Sequence, residues 1–262
     1  MGRTFLLRLA FDGGAFAGWQ RQPGERTVQQ VVEEALSRLA AGPVRVHAAG
    51  RTDAGVHALA LAASTELPAR WTAAALRRAL NAVLPDDVWV ADAHAMASGF
   101  HARRCAESRR YRYQVGTDDA ARSPFRRRWE WALGRPLDVA LLDAAAATVV
   151  GTHDFTAFSV RGQEKAHHRC RLVESRWTRA DDAGRLTYWV EADRFLHHMV
   201  RMLVGTMVDI GLGRRPLEDM RRLLASADNR DTSPPAPPEG LWFVEARYAP
   251  QWYLAGDAEP AP

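Results

Sequence analysis

The chain has 262 residues, room for one large domain or two small ones at roughly 100–200 residues each. Hydrophobic residues make up 47% and charged residues 25%, a globular balance that excludes disordered, collagen-like and coiled-coil classes. The net charge is +4, and no apolar run approaches the roughly eighteen residues a membrane span needs. Cys105 and Cys170 lie far apart and form neither a CxxC pair nor a disulfide framework, so a reducing, cytoplasmic compartment is expected. The N-terminus, MGRTFLLRLAFDGG, carries Arg8 and Asp12 around its apolar run and reads as a strand, not a leader.

The placement of charge says more than its total. Of the 35 basic residues only Lys165 is lysine; the rest are arginine, whose planar fork suits phosphate and ring faces. Between His101 and Arg135 ten arginines face four acids (Glu107, Asp118, Asp119, Glu130), a local +6 on a chain whose total is +4. Everything outside that window sums to −2. A basic block on a near-neutral body is the footprint of a polyanion partner.

In chain order, an alternating strand over 4–11 ends in the turn DGG. Thr27 caps a helix, TVQQVVEEALSRLA, with Gln30 placed as in a capping box, and Gly42-Pro43 stops it. A short strand, VRVHAA, precedes the polar segment GRTDAGVHA and a further strand over 59–65. Thr72 caps a second helix through Leu80, and DDVWVADA is another strand. The basic stretch leads into the strand YRYQVG, then a helix over VALLDAAAATVVG ending at Gly151. Strands follow at 171–179 and 186–192, joined by the turn DDAG. A long amphipathic helix spans 195–210 with Gly211 as its C-cap, a short one follows Pro216, and LWFVEARY closes the fold. The pattern predicts an α+β chain of two similar halves, 1–104 and 105–250, with a disordered tail over 251–262.

Chemistry concentrates in one loop. The segment Gly50 to Ala58 packs the Arg51 guanidinium, the Thr52 hydroxyl, the Asp53 carboxylate and two glycines between two strands. Glycines let the backbone turn tightly and a ligand come close, so Asp53 is poised as a nucleophile or a base. Neither His167-His168 nor His197-His198 completes a metal spacing, and adjacent histidines are expected to point to different faces; no metal is expected. DGGAFAGW does not match GxGxxG, so no dinucleotide cofactor is expected either.

GRTDAGVHA resembles the active-site motif of the TruA-type tRNA pseudouridine synthases. The blocks FDGGAFAGWQRQ, TVQQVVEEAL, LPDDVWV, FHARRCAESRRYRY, FLHHMVRMLVGTMVDIG and APPEGLWFVEARY occur in that family's order, covering about residues 3–250. Two positions depart from the pattern: Arg194 stands where a small or amide residue is usual, and Pro235 where a Thr is common.

The resemblance implies a pseudouridine synthase fold: two similar α+β halves, a mostly antiparallel sheet and an active-site cleft between the halves. It implies isomerisation of uridines 38, 39 and 40 in the tRNA anticodon stem-loop, no cofactor and a homodimer. It makes Asp53 the catalytic aspartate, Arg201 the cation that pairs with it, and Tyr111 the ring against the target base, expected to keep one face open. Arg51 would fill the space of the extruded nucleotide, Thr52, His57 and Leu241 would contact substrate, and Arg103, Arg104, Arg109, Arg110 and Arg112 would grip backbone phosphates. A non-catalytic RNA-binding module would use the same basic face but would not need Asp53.

Overall fold

The computed structural model describes residues 2–160, 167–179, 184–226 and 228–254. The elements run β1 (Gly2–Phe11), α1 (Val28–Ala40), β2 (His47–Ala48), β3 (His57–Pro68), α2 (Ala73–Asn81), β4 (Val88–Met96), β5 (Ala106–Gly116), β6 (Trp131–Ala132), α3 (Val139–Thr148), β7 (Gly151–Asp154), β8 (Arg169–Arg179), β9 (Arg185–Ala192), α4 (Met199–Gly211), α5 (Asp219–Leu224) and β10 (Leu241–Tyr248). The fold is mixed α and β with mostly antiparallel strands, as the pattern predicts. Lys165, most of the DDAG turn and the last eight residues of the expected tail lie outside the described residues.

The chain divides into two compact units, Met1–Ser108 with Phe243–Pro262, and Arg109–Trp242. The closing strand thus packs with the N-terminal unit, a return that strand periodicity does not encode.

In the first unit the strand order is β4-β1-β3-β10. β1 pairs antiparallel with both β3 and β4, which buries Phe5, Leu6, Leu7 and Leu9 completely. The helices start where short polar side chains replace missing backbone partners: Thr27 accepts from the Gln30 amide and Thr72 from the Ala75 amide. The capping box is half made, because the Gln30 side chain reaches forward to Glu34 at 2.9 Å. Leu36, Leu76 and Leu80 close the core beneath the sheet's strands.

In the second unit the order is β5-β9-β8-β7, with β6 parallel to β5. Asp138 caps α3 by accepting from the Leu141 amide. Leu142, Phe155, Phe158, Tyr188, Leu203 and Met207 are fully buried. The expected helix over 195–210 begins later, at Met199, because His198 adopts a left-handed backbone with φ 63°. Arg201 therefore sits in the first helical turn, not mid-helix.

Candidate active site

The loop 50–58 leaves β2 and enters β3, and it is held by backbone. The opening segment, residues 12–19, lies along it. Trp19 donates its amide to the Thr52 carbonyl at 3.0 Å, Gly55 donates to Phe16 at 3.4 Å, and Val56 closes a turn onto Asp53 at 3.2 Å. This approach needs glycines. A Cβ on Gly13 would stand 2.0 Å from the Val56 carbonyl oxygen, and one on Gly18 would stand 2.6 Å from that of Thr52. Gly18 also holds φ at +89°, a backbone that residues with side chains rarely adopt. Arg26 fixes the far side of the segment by stacking on Phe16 at 4.1 Å and pairing bidentately with Asp87.

The side chains of the loop divide by exposure. Arg51 is exposed and Asp53 half-buried. Thr52 is buried, and its hydroxyl has no hydrogen-bond partner among the described residues. His57 departs from expectation. It is 1% exposed, accepts the Gly13 amide at Nδ1 (3.0 Å) and lies 3.2 Å from Asp12. From this enclosed position it fastens the opening turn to the loop. The motif's last polar residue is thus a bracket, and the glycines facing it are the signal that sequence reading missed.

In the second unit Arg201 is clamped to the segment before β10. Its Nε donates to the Ala236 carbonyl at 2.7 Å, and the Ala236 amide donates to the Arg201 carbonyl at 2.9 Å. Gly205, one turn on, lets the chain pass: a Cβ there would lie 2.3 Å from the Pro234 carbonyl. Tyr113 holds the next stretch through its hydroxyl to Pro237 at 2.7 Å, and Gly240 lies directly against its ring. Pro235, one of the two departures, thus sits in a strap fixed at both ends. Leu241 follows, buried.

Tyr111 faces Val190 across β5 and β9, and its ring meets Phe195 edge-to-face at 5.0 Å. It keeps only 7% exposure, less open than a stacking role leads one to expect. The rings of His197 and His198 lie 4.2 Å apart, so these neighbours share a side and do not diverge. The left-handed turn at His198 is the reason. Arg194, the other departure, contacts His167 at 3.3 Å.

The basic strand is largely engaged internally. Arg109 donates to the Asp193 carbonyl at 2.7 Å. Arg110 pairs with Glu174 at 2.9 Å and lies 4.7 Å from the Trp189 ring. Arg112 stacks on Trp242 at 4.9 Å, and burial followed by the nearby Arg185 charge lowers its pKa. These three are half-buried and engaged with neighbours inside their own unit, so they are not freely solvated side chains. Arg103 and Arg104 remain exposed.

Comparison with known proteins agrees with the motif. A family model described as tRNA pseudouridine synthase matches residues 9–103 and 145–249, which leaves Tyr111 and its neighbours between the two stretches. The tRNA pseudouridine synthase A of Myxococcus xanthus is 40% identical over 242 residues, covering 92% of this chain and 91% of that protein. That of Solidesulfovibrio magneticus is 42% identical, covering 92% and 90%, and that of Frankia casuarinae 42%, covering 97% and 92%.

Proposed function

Because the chain belongs to the tRNA pseudouridine synthase family, we propose that it isomerises uridines 38, 39 and 40 of the tRNA anticodon stem-loop to pseudouridine. The observation that carries this reading is Asp53 on a loop fixed by backbone contacts at Thr52, Gly55 and Val56. Fixed geometry is what a reacting carboxylate needs, since catalysis depends on placing it within reach of the sugar or base.

The reaction breaks the C1′–N1 bond, turns the uracil and joins C5 to C1′; the C5 proton leaves and N1 gains one. No electrons enter or leave. Asp53 attacks the sugar or the base's C6, or takes a sugar proton, and each route starts from an ionised carboxylate. Tyr111 and Arg201 complete the catalytic set. Arg51 and Leu241 contact the nucleotide, and the unsatisfied Thr52 hydroxyl supplies a hydrogen bond to it, since a buried polar group without a partner is costly. His57 is left to hold the loop. In this reading the enzyme is a cytoplasmic homodimer, a state that light scattering tests.

The test is Asp53→Asn on an unmodified tRNA transcript, with pseudouridine mapped after reaction. Product is expected to vanish while RNA affinity stays within a few-fold; activity above about a tenth of wild type overturns the assignment.

A further inference from the structure

The turn after β5 presents an unusual residue. Phe125 is 87% exposed, the most exposed large hydrophobic side chain among the described residues. The turn beneath it is tightly made. Arg126 and Arg127 donate their amides to the Ser123 carbonyl at 3.0 and 2.9 Å, Phe125 donates to the Ser123 hydroxyl at 3.3 Å, and Trp129 donates to Arg126 at 2.8 Å.

Below the turn lies an ion-pair base. Glu130 is 1% exposed and accepts from Arg126 at 2.7 Å and from Arg185 at 2.6 Å, while Arg126 also reaches Asp118 at 3.0 Å. Gly116 and Gly184 let the backbone crowd onto these carboxylates, where a Cβ would stand within 2.6 Å of Glu130 and 2.4 Å of Asp118. An ion-paired base centred on buried Glu130, holding an apolar ring in water, is an arrangement that awaits a partner.

The surroundings say which partner. Arg127 and Arg128, next along the chain from Phe125, are exposed, and Arg126 pairs with Asp118 and Glu130 below them. Arg128 lies over Trp129 at 5.3 Å, Trp129 is 5.7 Å from Trp242, and Arg112 covers Trp242 at 4.9 Å. Cations interleaved with aromatic rings form the platform on which unpaired bases stack while phosphates are neutralised. A second copy offering this same face would bring like charges together.

We propose that the turn 122–129 is an RNA-docking element, in which the Phe125 ring stacks on an unpaired base of the substrate tRNA and Arg127 and Arg128 take its phosphates. This rests on the reading of the chain as a tRNA-modifying enzyme.

The experiment measures binding of an unmodified tRNA transcript, pseudouridine formation and the mass of the RNA-free protein for wild type and variants. Phe125→Ala is expected to weaken binding about 5- to 150-fold, the range of one lost base stack, with the loss appearing in Kd and KM and no change in melting temperature. Phe125→Trp keeps a stacking face and retains affinity; Phe125→Leu, apolar but without a face, does not. Arg127→Ala and Arg128→Ala each lower the slope of log K against log salt by roughly one. Unchanged tRNA binding by Phe125→Ala overturns the proposal, as does full affinity in Phe125→Leu. So does an altered mass of the RNA-free Phe125→Ala protein, which makes the ring a contact between copies. If wild type forms no pseudouridine yet Phe125→Ala still weakens tRNA binding, the enzymatic reading fails and the docking element stands.

Discussion

Gly13 and Val56 stand so close that a Cβ on the glycine would lie 2.0 Å from the Val56 carbonyl oxygen. The opposing atom is backbone, so no rotamer change relieves the overlap. Gly13→Ala must push the opening turn off the loop and break the Gly13 amide bond to His57. Overpacking of this kind costs about 1–3 kcal/mol, and pseudouridine formation should fall with the displaced Asp53. Gly24→Ala is the control: Gly24 has φ +77° but nothing within 4 Å, so it pays about 1 kcal/mol of backbone strain and no activity. Melting curves and turnover on the two variants separate the effects. A fully active Gly13→Ala enzyme removes the bracket from the mechanism.

Local signals in the sequence carried far. Thr27, Thr72 and Asp138 start their helices as short polar caps should, and GRTDAGVHA marks the loop that the structure pins. What was not legible depends on residues distant in the chain. Arg109, Arg110 and Arg112 read as a basic patch because Asp193, Glu174 and Trp242 lie 64 to 130 positions away. His57 reads as a ligand because its partners, Asp12 and Gly13, belong to another motif. Helical periodicity runs unbroken through His198, whose left-handed backbone no propensity announces. The return of β10 to the first unit is likewise a tertiary choice.

Arg201 joins α4 to the strap through Ala236, so its replacement has a structural cost besides any chemical one. Losing a hydrogen bond from a charged donor costs about 1.5–3 kcal/mol, which urea unfolding of Arg201→Met should show. Arg201→Lys keeps the charge and loses the fork. If charge is what the reaction needs, Lys should retain clearly more turnover than Met at comparable stability. Equal turnover in the two variants assigns Arg201 to the scaffold alone.

Acid should loosen the second unit through Asp219. Hydrogen bonds from Arg222 and then Arg215 hold its carboxyl below the usual carboxylate range. Asp118 is lowered in the same way, chiefly by Arg126. A depressed folded pKa means that the unfolded chain binds the proton more readily. The stabilisation is therefore complete above an unfolded value of about 4 and is lost as pH falls through the lower folded value. Melting temperature should be flat near neutrality and drop below about pH 4. Asp219→Asn should melt lower at pH 7 and show a shallower acid slope; an unchanged slope shows that other carboxylates govern it.

Tyr111 is buried to all but 7% and edge-on to Phe195, so packing and chemistry must be separated before a role is assigned. Tyr111→Ala removes a large ring from a closed site and should cost about 3–5 kcal/mol, lowering activity whether or not the ring meets substrate. Tyr111→Phe preserves the ring and its edge-to-face partner and removes only the hydroxyl. If the hydroxyl handles the C5 proton, Tyr111→Phe should melt near wild type, bind tRNA normally and turn over at least about tenfold more slowly. Tyr111→Leu completes the set: it fills much of the space without an aromatic face. Should Phe turn over like wild type while Leu and Ala fail in proportion to their lost stability, the tyrosine is a core residue and the proton belongs to another group.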